Sequence, residues 1–129
     1  MVVKAPLLTA EEYALIEQPI ESARTLPRRA FYDELFFEFE VENLLVNSWI
    51  AVGFRDQVPH VGDVRPINIL GRPVLLVRNL AGQLRAFHNI VPYDSCEVVT
   101  HEAHGLQEII TPYHGLTYDL DGRLTSAPY

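Results

Sequence analysis

The side chains able to bind a metal or move a proton gather in the last third of this 129-residue chain. Two loops frame them, Asn89-Ile90-Val91-Pro92-Tyr93-Asp94-Ser95 and Thr111-Pro112-Tyr113-His114-Gly115-Leu116, with Cys96, His101 and His104 on the stretch between. His101 and His104 form a His-x-x-His, so one helical turn would present both imidazoles on one face, and Cys96 or His114 would complete a tetrahedral zinc set. Against that, Gly105 follows His104 directly and the segment merely joins two loops, which favours solvated surface histidines. Cys96 lies near Asp94 and Glu97, whose charge raises a thiol pKa, so a small half-buried side chain is expected there and not a nucleophile. His114 needs a hydrogen-bond partner, and Tyr93 is the candidate across the loop pair. A catalytic pair would need a third group and a pocket, which the sequence does not supply.

The elements that must hold these loops are mostly short strands. Runs at Trp49 to Val52, Val64 to Leu70, Val74 to Arg78, Gln83 to His88, Gln107 to Pro112, Leu116 to Asp119 and Arg123 to Ser126 are bounded by turn residues. Gly71-Arg72-Pro73, Ala81-Gly82 and Asp121-Gly122 mark tight connections, and Asp121-Gly122 signals a two-residue hairpin with positive φ at both positions. The spacing predicts a mainly β fold, a small antiparallel sandwich or barrel, without internal repeats. Before it, Thr9 and Glu12 make a capping box that opens a short helix from about Ala10 to Ile20. A second helix should run from about Glu34 to Asn47 behind an Asp33 N-cap, with Phe37, Val41, Leu44 and Leu45 as its core stripe. Residues 1–30 form an N-terminal arm and residues 31–129 the domain.

Composition narrows the partners. With 48% hydrophobic residues the chain can build a core without staples, and a formal charge of -7 with no basic patch argues against nucleic acid or an anionic membrane surface. No run approaches a membrane span, the N-terminus lacks a signal-peptide pattern, and a lone cysteine fits a reducing compartment. A cytoplasmic protein is expected.

The second loop, Pro112-Tyr113-His114-Gly115, resembles the second cluster-binding loop of Rieske iron-sulfur domains, in particular the N-terminal domain of ring-hydroxylating oxygenase alpha subunits. The resemblance extends through Ser48-Trp49-Ile50-Ala51-Val52-Gly53, Val61-Gly62-Asp63, the Gly71 to Arg78 segment and Leu84-Arg85-Ala86-Phe87-His88-Asn89, in order. It implies a Rieske-like fold and a 2Fe-2S site whose ligand pattern, Cys-x-His followed by Cys-x-x-His, falls on Val91, Tyr93, Thr111 and His114, with residues 94–110 between the pairs. The spacing is kept, yet among these only His114 is a ligand of the family's type, and Leu116 stands where the family usually has Trp. A Rieske centre needs two thiolates and two imidazoles, so no 2Fe-2S cofactor and no other metal is expected; the four positions are vestigial.

Val91 and Tyr93 are expected to fill the space a cluster would take, because an empty cavity costs stability. The family's catalytic iron domain has no counterpart in this stretch. The leading expectation is therefore a non-redox accessory or structural subunit that works with a protein partner, an oxygenase-type catalytic subunit or a second copy. It would not be catalytic alone. The small subunit of assimilatory nitrite reductases is similar in being Rieske-like without the ligands, and Asn89 to Asp94 resembles its replacement loop. The alternatives are a diverged oxygenase component that takes part in aromatic-compound oxidation through a partner's metal, a binding module that reuses the vacant loop pocket with Tyr93, Tyr113, Tyr118 and His114, and a fragment of a longer protein.

Overall fold

The computed structural model describes residues 7–128, which divide into two compact units, 7–50 and 51–128.

The first unit holds two helices, α1 (Ala10–Ile16) and α2 (Glu34–Asn43). The capping box that opens α1 forms as the sequence requires: the Glu12 amide donates to Thr9 Oγ1 at 3.2 Å and the Thr9 amide to Glu12 Oε2 at 2.9 Å. Arg29 grips the same carboxylate with both terminal nitrogens and donates to the Leu7 carbonyl at 3.0 Å. Its guanidinium, with the Thr9 amide, draws the Glu12 pKa down to about 2. The helix stops at Ile16, four residues before the expected end, because Pro19 disfavours helical geometry at the residue before it.

α2 is likewise shorter than expected. Asp33 caps it by accepting from the Leu35 amide at 2.8 Å. Beyond Asn43, however, the Asn43 and Asn47 amides and the Ser48 hydroxyl each donate to a carbonyl four residues back, and the chain tightens into a 3-10 turn at Leu45–Asn47. The expected core stripe is corrected too. Phe36 is the buried residue of α2, whereas Phe37 and Leu44 are exposed and Val41 and Leu45 half-buried. Apolar residues at 35, 36, 37 and 39 surround the helix, so periodicity alone could not select a face. The run Trp49 to Val52 forms no strand; β-prone residues need a pairing neighbour, and these have none among the described residues.

The second unit is two antiparallel three-stranded sheets. β1 (Val64–Ile69), β2 (Arg72–Arg78) and β3 (Leu84–His88) form the first, and β4 (Glu108–Ile110), β5 (Thr117–Asp119) and β6 (Leu124–Ser126) the second, each paired in sequence order. One core joins them: Val64, Leu75 and Val77 from the first sheet pack with Ile109 and Leu120, and Phe87, Val98, Val99, Ala103 and Leu106 close around that cluster. Burial of a Val or Leu side chain is worth about 1.5–3 kcal/mol, so this cluster is the main source of stability for so small a fold.

Two hairpin turns share one construction. In Asn79-Leu80-Ala81-Gly82-Gln83 and Asp119-Leu120-Asp121-Gly122-Arg123, the glycine amide donates to the first carbonyl and the first amide to the last. Only the glycines have positive φ, 73° and 82°, so Asp121-Gly122 is not the two-residue turn expected but the end of a three-residue loop. The turns are tied together by Asn79 Nδ2 donating to Asp121 Oδ1 at 2.7 Å, with Arg85 Nε 3.1 Å from the same oxygen. These contacts, the Asn79 amide first, hold the Asp121 carboxyl below the usual carboxylate range.

Asp63 is similarly depressed, by the His60 amide and then by His104 Nδ1, each 2.8 Å away. A carboxylate whose folded pKa is lowered stabilises the protein above its unfolded pKa of about 4, and that stabilisation disappears as pH falls through the folded value. The melting temperature should therefore drop below about pH 4. Asp63→Asn and Asp121→Asn should each flatten that acid limb in calorimetry; limbs as steep as the parent's would show that neither carboxylate is linked to folding.

Candidate functional site

Both loops of interest leave strands of the shared core. Asn89 opens the first, one residue after β3, and is almost fully buried. Its side chain pairs with Val99 in both directions, Nδ2 to the carbonyl at 2.7 Å and Oδ1 from the amide at 2.9 Å. Thus Asn89 substitutes for a strand neighbour and closes the 89–99 loop at its base. Thr111 opens the second loop directly after β4.

The two loops have the same backbone plan, a local repeat within a chain expected to have none. The Val91 amide donates to the Cys96 carbonyl at 2.8 Å, and the Thr111 amide to the Leu116 carbonyl at 2.9 Å. Four residues into each, the chain turns left-handed, at Ser95 (φ 62°) and Gly115 (φ 63°). Each is preceded by Pro-Tyr, whose proline fixes one backbone angle of the turn. Glycine takes the left-handed turn freely, whereas Ser95 carries roughly 1–2 kcal/mol of strain. The signal was visible in Val-Pro-Tyr-Asp-Ser-Cys beside Thr-Pro-Tyr-His-Gly-Leu, but only as a six-residue pattern.

The four positions on which the ligand pattern falls divide into two inside and two outside. Val91 is 1% exposed and Thr111 4%. Thr111 Oγ1 accepts the Leu116 amide at 3.0 Å, so its hydroxyl is occupied by the fold. Thr111→Val should cost about 0.5–1.5 kcal/mol by removing the acceptor of that part-buried amide, while Thr111→Ser should cost less. Chemical denaturation checks both; equal losses would mean that the hydroxyl is not what matters.

Tyr93 is 76% exposed and corrects the filling expectation: Val91 fills, Tyr93 does not. The tyrosine ring instead lies edge-on to His114, with centroids 5.0 Å apart and planes at 88°. Nor is the phenol the polar partner of His114. That partner is Asp94, whose Oδ2 is 3.4 Å from His114 Nε2, a residue missed because the ligand pattern skips it. Tyr113 is as exposed as Tyr93. The loop tips therefore present two outward tyrosines around a His-Asp contact.

The histidines and cysteine of the alternative zinc set have separate partners. His104 Nδ1 is on Asp63 and His101 Nδ1 is 2.8 Å from Thr100 Oγ1. Cys96 is half-buried, and burial first, then Asp94, pushes its thiol pKa up. Among the described residues no three His, Cys, Asp or Glu side chains are grouped for a metal. The donor chemistry at Val91, Tyr93, Thr111 and His114 is an isopropyl group, a phenol, an engaged hydroxyl and one imidazole. Two thiolates and two imidazoles are needed for the cluster that the resemblance implies, and these residues do not fit it.

Residues 48–129 match the family described as Rieske [2Fe-2S] domain. The chain is 34% identical over 107 residues to the carnitine monooxygenase oxygenase subunit of Escherichia coli K12, across 83% of this chain and 29% of that protein. It is 31% identical over 103 residues to the glycine betaine monooxygenase oxygenase subunit of Pseudomonas aeruginosa, across 80% and 24%. Among solved structures, the quaternary ammonium Rieske monooxygenase CntA in complex with L-carnitine superposes with a TM-score of 0.75 at 29% identity, over 82% of this chain and 30% of that one. Naphthalene 1,2-dioxygenase with indole bound gives 0.68 at 26%, over 76% and 22%. The chain spans less than a third of the length of each of these relatives.

Proposed function

Because this chain belongs to the Rieske [2Fe-2S] domain family and yet holds a donor set unsuited to the cluster, we propose that it is a non-redox, structural or accessory module of an oxygenase-type assembly. The observation that carries this reading is the use made of the two thiolate positions. Val91 is packed into the interior and Thr111 hydrogen-bonds its own loop, so both side chains have been given to the fold. Each loop is also closed by its own backbone bonds, which require no metal.

In this reading the preserved loop tips serve contact in place of electron transfer. Tyr93 and Tyr113 offer large, rigid surfaces with few rotatable bonds, the kind of side chain that dominates protein interfaces. The relatives compared above are named as oxygenase subunits, which motivates an oxygenase-type catalytic domain as the partner. A cytoplasmic location belongs to the same proposal; no helix among the described residues is long and apolar enough to cross a membrane.

Iron, zinc and acid-labile sulfide measured on purified protein, with its visible spectrum, test the first half. A colourless protein with far less than one iron per chain is expected, and a stoichiometric 2Fe-2S chromophore would overturn the reading. Co-purification with an oxygenase catalytic chain, and a change in its turnover on mixing, test the second half. Tyr93→Ala with Tyr113→Ala should weaken that association without unfolding the chain.

A further inference from the structure

At the end of the first sheet opposite the loop that follows β3, Arg78 is buried and has no acidic partner among the described residues. It ends β2, whose register pairs Arg78 with Leu84 and Val74 with His88, so it lies about 14 Å along the strand from the base of that loop. Arg78 is 5% exposed. Its guanidinium donates only to backbone carbonyls: Nε to Val58 at 2.9 Å, one terminal nitrogen to Gly82 at 3.3 Å and the other to Arg55 at 3.2 Å. Among the described residues no carboxylate makes an ion pair with it.

A guanidinium has five N–H donors, so three carbonyls leave two for another acceptor. A buried charge is ordinarily paired, and carbonyl dipoles fix its position without neutralising it. Arg78 also borders an open cavity of about 480 Å3, where Phe54, Pro59 and Val61 supply apolar wall and Arg55 a second cation. Asp56 on the same rim opposes anions, and more strongly dianions than monoanions.

We propose that this cavity is a binding site for a carboxylate attached to an apolar body, with Arg78 and Arg55 holding the acid group and Phe54, Pro59 and Val61 the remainder. The planar guanidinium fork matches a carboxylate in two parallel hydrogen bonds, which a monatomic anion such as chloride cannot make. The acid is either a free monocarboxylic acid or an acidic side chain beside an apolar one on a peptide. The site stands apart from the loops at Val91 and Thr111 and does not depend on how they are read.

The test is an NMR titration of the full chain with hexanoate, with acetate, with a blocked peptide containing Glu next to Leu, and with sodium chloride at matched ionic strength. Saturable shifts of the Arg78 Nε–H and of the Arg55, Val61 and Gly82 amides are expected with hexanoate, and stronger than with acetate. If hexanoate and the peptide both saturate, the source is any carboxylate with an apolar neighbour; if only the peptide does, it is a protein partner. If neither exceeds chloride, the site is refuted. Arg78 also braces the fold, so the variants are on the rim. Arg55→Ala should weaken binding roughly two- to fivefold and Asp56→Asn should tighten it about twofold. Unchanged affinity in both would overturn the assignment.

Discussion

The chain carrying Val91→Cys, Tyr93→His and Thr111→Cys together should take up iron and sulfide on reconstitution and turn red-brown, while the parent treated identically stays colourless. The positions that would carry the ligands are already in place. Val91 is enclosed, and a cysteine there exchanges two methyl groups for one sulfur of similar apolar character, a small change of volume. Thr111 Oγ1 already receives the Leu116 amide, and a sulfur in its place would meet the same N–H, a contact of the kind that tunes cluster potentials. Tyr93 already neighbours His114 at 5.0 Å between ring centroids, so His at 93 brings two imidazoles side by side on the loop tips. The expected gain is from no cluster to one per chain, read by iron and sulfide content and by the visible and EPR spectra. Variants that restore one thiolate should remain colourless, since the cluster needs both. If the triple variant folds and stays empty, the two loops are held at a separation unsuited to a shared cluster, and the retained sequence spacing is not retained geometry.

How much of this was legible in the sequence depends on the range of the interaction concerned. The capping box at Thr9 and Glu12, the Asp33 cap and six of the seven strands are local patterns and appear where expected. Trp49 to Val52 was misread because a strand is defined by its neighbour, which a local run cannot reveal. Within the site, Val91 and Thr111 followed from the ligand spacing, but Asp94 did not: its contact with His114 crosses from one loop to the other. Tyr93 failed for a related reason. Whether an aromatic residue fills a gap or faces water depends on where the backbone turns, and here the Pro-Tyr turn carries the ring outward. Arg78 had no sequence signal at all, since the carbonyls that surround it come from residues 55, 58 and 82.

Gly62→Ala should be severely destabilising for the addition of a single methyl group. At φ 84° Gly62 occupies a conformation that costs a side-chain-bearing residue about 1–3 kcal/mol. Its would-be Cβ lies 2.5 Å from the Leu106 carbonyl oxygen, 2.6 Å from the Leu106 nitrogen and 2.7 Å from the Gly105 carbonyl carbon, all backbone atoms that cannot rotate away. Relief requires separating Gly62 from residues 105–106, which breaks the bond from the Leu106 amide to the Gly62 carbonyl, 3.0 Å. With that bond worth about 1 kcal/mol, the loss comes to roughly 2–4 kcal/mol, a large part of the 5–15 kcal/mol of a typical domain. Gly71 is the control: its φ is 80°, but a Cβ there meets nothing within 4 Å, so Gly71→Ala should cost the same conformational strain and nothing from close approach. Because Val64 bridges Ala103 in both directions beside this contact, Gly62 sets where the connector enters β4 and hence where Thr111 and His114 emerge. Urea unfolding of the two variants separates local strain from close approach. If Gly62→Ala lost no more than Gly71→Ala, the approach of residue 106 would have to be soft, and the second loop would not owe its position to this contact.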